Sequence, residues 1–217
     1  MLGGCGVVPS GVQPARGTAT AYPDVNLSSR PCAVQVISLL TTSEMPRGLS
    51  PQGPAQSETG PRSLLDNTTD GSVGSAFQYF QPSGLAAPAT AVRAQITQIA
   101  EGIVAYGTVA IAERWLSGQE VSHRSNDSPM FGDGVERSPQ VPALGNDTFM
   151  YQIDIGAPYT SHNYVGPYVG RVDTNIEVRD GDLIYAIDII SVPDTGMAPL
   201  AISVIRALVA KERSVCG

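Results

Sequence analysis

An Asp-Gly pair set between two runs of alternating apolar residues leaves a chain few ways to fold, and this one has such a pair at Arg179-Asp180-Gly181-Asp182. Upstream, Val172, Thr174, Ile176 and Val178 alternate with Asp173, Asn175 and Glu177, the period of two of a strand with one buried face. Asp-Gly tolerates positive φ at both central positions of a tight turn, the geometry that matches strand twist. Leu183 to Ser191 is therefore expected to return antiparallel as a hairpin. The returning run is nearly all apolar. Leu183, Tyr185, Ile187 and Ile189 continue the inner face, while Ile184, Ala186 and Ile190 surround a single charge at Asp188, the pattern of a central strand covered on both sides.

The flanks extend this unit. Before it, Phe149, Tyr151, Ile153 and Ile155 alternate with Met150, Gln152 and Asp154, another half-buried strand. After it, Pro193, Asp194 and Gly196 break the pattern, and Pro199 suits a first helical turn, where its missing N–H loses no bond. A helix to Arg213 follows, with Leu200, Val204, Ala207, Leu208 and Lys211 on one stripe, Ile202, Ile205 and Val209 beside it, and Lys211, Glu212 and Arg213 polar. Basic groups in its last turn suit the helix dipole.

The first half is less regular. Val34 to Thr41 is apolar and β-compatible, and Leu39 to Gly48 reads as a turn or short helix stopped by Pro46. Gly48 to Pro61 reads as loop, and Ser75 to Gln81 as an aromatic strand. Thr90 to Leu116 is ambiguous: Val92, Ile96, Ile99 and Ile103 fit a helix, but Gly102 and Gly107 weaken it and Ile103 to Tyr106 suits a strand. The reading favoured is a strand from Arg93 to Tyr106 and a helix from Thr108 to Leu116. Ser117 to Leu144, polar and rich in Gly and Pro, reads as loop with at most one short strand.

With 217 residues, 42% of them hydrophobic, the chain can bury one sizeable core, and two full domains would be a squeeze. A net charge of −7 with 13 Lys and Arg disfavours nucleic-acid binding, which needs clustered cations to displace counterions. No run of 18 apolar residues occurs, so no membrane-spanning helix is expected.

Leu2-Gly3-Gly4-Cys5 resembles a bacterial lipobox, in which small residues before a cysteine let a signal peptidase cut and the thiol take a lipid. That reading makes Cys5 the lipidation site and places the charged and apolar part of the leader upstream of Met1. Val7 to Asn26 is rich in Pro, Gly, Ser and Thr, as a tether would be. The organisation expected is a flexible segment over residues 1–30 and one folded domain over 31–217. Cys32 and Cys216 bracket that domain. In an oxidising compartment a bridge between them would close a loop worth roughly 5 kcal/mol in the chain-entropy model; two free thiols are the alternative.

No catalytic motif appears. His123 and His162 both fall in loop-like stretches and read as surface histidines, and neither a Gly-x-Ser-x-Gly elbow nor a phosphate loop is present. The expectation is no catalytic residue, no metal site and no cofactor. Asp66, Asp70 and Gly71 lack the alternating acids of a calcium loop. Tyr151, Tyr159, Tyr164, Tyr168 and Tyr185 gather with His162 around the hairpin. Of these, Tyr159, His162, Tyr164 and Tyr168 are candidates to line a groove for a polar or glycan-like ligand, with packing on the sheet as the plainer alternative.

Leu39-Leu40-Thr41-Thr42-Ser43-Glu44-Met45-Pro46-Arg47-Gly48 resembles the opening of secreted actinobacterial lipoproteins, and Leu144-Gly145-Asn146-Asp147-Thr148 resembles their lead into a strand. Val169-Gly170-Arg171-Val172, the Asp180-Gly181-Asp182 turn and the closing helix fit the hairpin that follows. Those lipoproteins are related in layout to the extracytoplasmic sensor domain of a mycobacterial serine/threonine protein kinase. The resemblance implies a single α+β domain: a twisted, mainly antiparallel sheet with helices packed on it, a C-terminal strand-hairpin-helix unit, a groove, and attachment outside the cytoplasmic membrane. One departure concerns cysteine, since such proteins often carry one after the central helix where Trp115 here is followed by Leu116, Ser117 and Gly118.

The function expected is a non-enzymatic, lipid-anchored binding or sensor-like domain of the cell envelope. Its partner would be a small molecule, a glycan or an envelope protein, with no nucleic acid and membrane contact through the anchor alone. An envelope hydrolase using carboxylates and a structural, shell-forming (viral) protein are the alternatives; a close carboxylate pair with a raised pKa would favour the first.

Overall fold

The computed structural model describes residues 32–59, 71–83, 95–124, 136–155, 170–193 and 195–216. Its strands are β1 (Leu49–Pro51), β2 (Gln56–Thr59), β3 (Ser72–Pro82), β4 (Ile96–Tyr106), β5 (Glu136–Arg137), β6 (Asp147–Asp154), β7 (Val172–Asp180) and β8 (Leu183–Ser191). Its helices are α1 (Val109–Arg124) and α2 (Ala198–Cys216). All strands join one sheet in the order β1-β3-β4-β8-β7-β6-β5, with β2 also on β3, and every pairing is antiparallel. The domain is the α+β class expected, ending in strand, hairpin and helix.

The hairpin forms in register Asp180↔Leu183 through Val172↔Ser191, which leaves Gly181 and Asp182 as the two loop residues. The turn thus sits one residue later than the Asp-Gly reading places it. Gly181, at φ 65°, supplies the left-handed backbone that an L side chain resists. The β8 strand lies between β4 and β7, central as its apolar run requires.

Because strand side chains alternate, the sheet has two distinct faces. On one, Ile99, Ile103, Ile176, Tyr185, Ile187 and Ile189 meet α2 in the main core. The stripe α2 buries is Ala201, Val204, Ile205, Leu208, Val209 and Glu212. It is rotated from the one expected, and it carries Glu212 inward because the Tyr185 hydroxyl donates to Glu212 Oε2 at 2.9 Å. On the other face, Val104, Tyr106, Phe149, Tyr151, Ile153 and Ile184 meet Ala112 and Leu116 of α1.

Several stretches depart from the sequence reading for reasons of context. Val34 to Thr41 is not a strand; it holds a 3-10 turn at Val36–Ser38 that drops Leu39 and Leu40 into the main core, each 2% exposed. The leucine-leucine motif is thus an anchor, followed by a turn that Glu44 closes by accepting from the Thr41 N–H at 2.7 Å. Burial alone would raise Glu44, but the bond from Lys211 at 2.6 Å and the Thr41 donors hold it down at about 2. The Gly/Pro-rich stretch after Gly48 contributes β1 and β2, short strands whose ladder is set by β3 rather than by their own pattern. The ambiguous stretch resolves as the strand β4 and the helix α1. The Thr108 hydroxyl caps α1 by accepting from the Ile111 N–H at 3.2 Å. The helix runs on to Arg124, past the loop start read at Ser117, because its last turn has a tertiary seat for His123 on the sheet.

The Leu-Gly-Asn-Asp-Thr motif clamps the hairpin. Asn146 Oδ1 accepts from the Gly181 N–H at 2.7 Å, and the Asn146 N–H donates to the Arg179 carbonyl at 2.8 Å. At Gly145 a Cβ would collide with that same Arg179 carbonyl oxygen. Cys32 and Cys216 are joined by a disulfide with Cα atoms 5.5 Å apart, tying the first described residue to the last turn of α2.

Candidate functional site

The α1 face carries a run of polar side chains from one strand. From β7, Asp173, Asn175, Glu177 and Arg179 point to this side, since they alternate with the core residues Ile176 and Val178. The ladders place them in cross-strand rows. One row reads Tyr151, Asn175, Asp188, Ala100, Tyr79 from β6 through β7, β8 and β4 to β3; the next reads Phe149, Glu177, Ala186, Gly102, Phe77. Asp173, opposite Ile190, is therefore the diagonal neighbour of Asp188.

These two aspartates form the chemical centre of the face. Burial pushes Asp173 well above the ordinary carboxyl range, and the Asp188 charge and a hydrogen bond to Asp188 push it further the same way. Burial also raises Asp188, and the hydrogen bond from Asp173 offsets part of that. The pair shares a proton, with Asp173 as donor and Asp188 as acceptor, because two adjacent buried carboxylates cannot both ionise cheaply. Each has its Oδ1 buried without a hydrogen-bond partner, as does Asn175.

The surroundings give the pair a shape. Ala100 stands opposite Asp188 and Ala186 and Gly102 lie in the next row, while Ile153 and Ile190 flank Asp173; Ala100 and Ala186 are partly exposed, as are Asn175 and Asp188. Aromatic side chains stand at both margins. On the β3 side Phe77 and Tyr79 meet edge to face at 5.4 Å. On the β6 side His123 of α1 stacks on Tyr151 at 3.8 Å and lies 5.9 Å from Phe149. Arg179 is the one basic side chain that the described strands send to this face, and its Nε is held by Asp147 Oδ2 at 2.7 Å. The α1 face thus sets an acidic centre beside small residues, with aromatic side chains on the flanking strands.

His123 is thus a buried, helix-borne stacking partner, 6% exposed, rather than the surface loop histidine expected. The tyrosines grouped by sequence divide between faces, Tyr151 stacking on His123 beneath α1 and Tyr185 bonding Glu212 on the opposite side. Cys5, Tyr159, His162, Tyr164 and Tyr168 lie outside the described residues. Sequence reasoning noted Asp188 as a lone charge in an apolar strand but not its partner. The lone charge was the available clue, and only the hairpin register identifies Asp173 beside it.

A second buried acid lies on the α2 face. Glu101 of β4 is fully buried, and its pKa is raised to about 8 by burial, with Glu44 adding to the rise and the Leu40 backbone and Lys211 opposing it. Neither carboxyl oxygen has a well-formed hydrogen bond. Among the described residues no group of three or more His, Cys, Asp or Glu could hold a metal ion, and no helix is long and apolar enough to cross a membrane.

Fold and face define a single-domain α+β protein whose antiparallel sheet bears a helix on each side. Among solved structures, the extracellular domain of PknH from Mycobacterium tuberculosis shares this fold, with a TM-score of 0.52 and 10% identity over 82% of this chain and 93% of that one. The likeness in layout to such a domain therefore holds at the level of the fold. Cyanobacterial PsbP (CyanoP) from Synechocystis sp. PCC 6803 aligns over 72% of this chain and 90% of that one at 14% identity, with a TM-score of only 0.23. No protein-family model and no curated protein sequence matches the chain.

Proposed function

We propose that this chain is an extracytoplasmic binding domain of the cell envelope, sensor-like and non-enzymatic, anchored by a lipid on Cys5 through the segment 1–30. The observation that carries the binding reading is the polar cluster on the α1 face: Asp173, Asn175 and Asp188 each keep a buried oxygen without a hydrogen-bond partner, beside the partly exposed Ala100 and Ala186. Buried polar groups are ordinarily paired, so such a set is a place for a ligand's donors. Location outside the cytoplasm is supported by the Cys32–Cys216 bridge, since structural disulfides persist in oxidising compartments. Tyr159, His162, Tyr164 and Tyr168 stay the proposed further contacts, and the partner is a small molecule, a glycan or an envelope protein.

Intact-mass measurement of the protein expressed from its upstream-extended gene in an actinobacterial host tests the location. An acylated Cys5, with Cys32 and Cys216 alkylated only after reduction, is the expected result; three free, unmodified thiols overturn it. The binding reading is tested by capture of envelope extracts on wild type and on Ala186→Leu, which puts a bulky side chain beside the polar cluster. Retention equal on both forms, or on neither, refutes it.

The aspartate pair also favours a second reading, hydrolysis by carboxyl groups. Carboxyls bonded to each other share a proton as in aspartic proteases; retaining glycosidases instead hold theirs about 5–5.5 Å apart. Cleavage of a peptide library that Asp188→Asn abolishes would establish the hydrolase; its absence leaves the binding reading.

A further inference from the structure

We propose that the corner where Val36, Ile37 and Val215 surround the Cys32–Cys216 bridge is a docking surface for an anionic lipid bilayer, which seats the domain with the last turn of α2 against the membrane. This goes beyond the binding-domain reading and rests on one part of it, the lipid on Cys5; membrane contact then extends past the anchor to the domain itself.

The corner has a buried side and an exposed one. The 3-10 turn at Val36–Ser38 drops Ser38, Leu39 and Leu40 inward, which leaves Val36 and Ile37 outside, 44% and 59% exposed. Ser38 Oγ donates to the Cys32 carbonyl at 2.8 Å and lies 3.3 Å from Cys216 Sγ, so the turn is fixed against the end of α2. There Val215, 38% exposed, adds a third apolar side chain. Among the described residues five large hydrophobics are exposed, and three of them meet at this cross-linked corner, whereas Val109 and Val121 stand apart on α1. Single exposed apolar residues are ordinary, but a set held by a disulfide is a preformed patch that needs little ordering on contact.

Two further observations choose the occupant. Cys32 lies inside the corner, so a chain that runs from a lipid on Cys5 leads to the patch itself. Cys5 and Cys32 are 27 residues apart. That length reaches at most roughly 90 Å and holds the corner at about millimolar concentration over the surface that carries the lipid. Charge is the second observation. The chain has a net charge of −7, yet residues 32–48 and 198–216 carry Arg47, Arg206, Lys211 and Arg213 against Glu44 and Glu212 alone. Glu212 is buried and bonded by the Tyr185 hydroxyl. Arg206 is exposed about two helical turns before Arg213 on the same side of α2, and Arg47 is exposed in the turn that Glu44 ties to Lys211. Lys211 and Arg213 pair with Glu44 and Asp180, while Arg47 and Arg206 pair with no described acid. Apolar side chains with guanidinium groups at their rim match the acyl boundary beneath anionic headgroups. A second copy meeting this corner across a two-fold axis would instead set the same cations against each other.

The test couples Cys5 of the disulfide-intact chain, the one thiol left free, to a maleimide lipid in vesicles. The vesicles are either phosphatidylglycerol with phosphatidylcholine or phosphatidylcholine alone, each doped with a photoactivatable phospholipid, and labelled peptides are mapped by mass. Labelling is expected to concentrate on residues 35–38 and 213–216, about fivefold or more above the other described segments, on anionic vesicles only, and to fall as salt rises. Ile37→Asp and Arg206→Glu, both at exposed positions, should each lower it about threefold or more with the urea midpoint unchanged. Even labelling across the domain, equal labelling on neutral vesicles, or a pattern that neither variant changes overturns the inference. So does a dimer of the uncoupled chain that Ile37→Asp dissociates and anionic vesicles do not. Because the lipid is attached chemically, a failure here leaves the natural anchor on Cys5 to be decided separately by the intact-mass measurement.

Discussion

Replacing Glu101 by glutamine should make the protein more stable at neutral pH, by an amount that grows with pH. Glu101 titrates at about 8 in the folded chain against its ordinary 4.5, because the carboxylate would sit among Ile99, Ile103, Leu40 and the α2 helix with little to solvate it. The folded state holds a proton that the unfolded state releases. Stability is therefore fully present below pH 4.5 and is lost as pH rises from there to about 8, after which the loss levels off. Each pKa unit is worth about 1.4 kcal/mol, so the loss at pH 7 is about 3 kcal/mol. Glutamine copies the neutral acid in shape and never ionises. Urea unfolding at pH 5, 6, 7 and 8, followed by the fluorescence of Trp115, the single tryptophan, measures the gap between variant and wild type. The Asp173–Asp188 pair on the other face titrates in both proteins and cancels in the difference. A gap of just under about 1 kcal/mol at pH 5 that widens by roughly 1.3 kcal/mol per pH unit to pH 7 is the expected result. Parallel stability curves, or a variant weaker at pH 7, would refute the claim that burial sets this carboxyl's pKa.

Three further outcomes test the packing. Gly145→Ala should cost about 1–3 kcal/mol and raise hydrogen exchange at Gly181, because a methyl there drives into the Arg179 backbone on which the clamp depends. Tyr185→Phe should cost about 1–3 kcal/mol by leaving the buried Glu212 carboxylate without that donor, whereas phenylalanine at the partly exposed Tyr79 should cost less; thermal unfolding of both variants decides it. Joint Cys32→Ser and Cys216→Ser should lower stability by about 2–5 kcal/mol with the far-UV spectrum retained, since the bridge closes 184 residues of chain. An unchanged urea midpoint would show that the cross-link does not constrain the unfolded chain.

The second half of the domain was legible because its information is local. Alternation over Val172 to Val178 and Leu183 to Ile189, with Gly181 between, admits one antiparallel pairing, and the apolar periodicity after Pro199 admits one helix. Elements whose stability comes from neighbours were not legible. The strands β1 and β2 exist because β3 offers them an edge, and the last turn of α1 holds because His123 finds Tyr151 beneath it. Neither cause leaves a pattern in the segment itself.

By itself the sequence determined the fold class, the central place of β8 and the two cysteines able to meet across the domain, since periodicity and turn chemistry act over a few residues. Which groups share a site was decided only by tertiary structure. Asp173 and Asp188 are 15 residues apart in chain and become partners through a hairpin register that a one-residue slip would destroy. The small residues Ala100, Gly102 and Ala186 beside them come from two strands, and the flanking aromatic and imidazole rings come from β3, β6 and α1. A sheet face is a two-dimensional object, and a chain read in one dimension carries half of its coordinates.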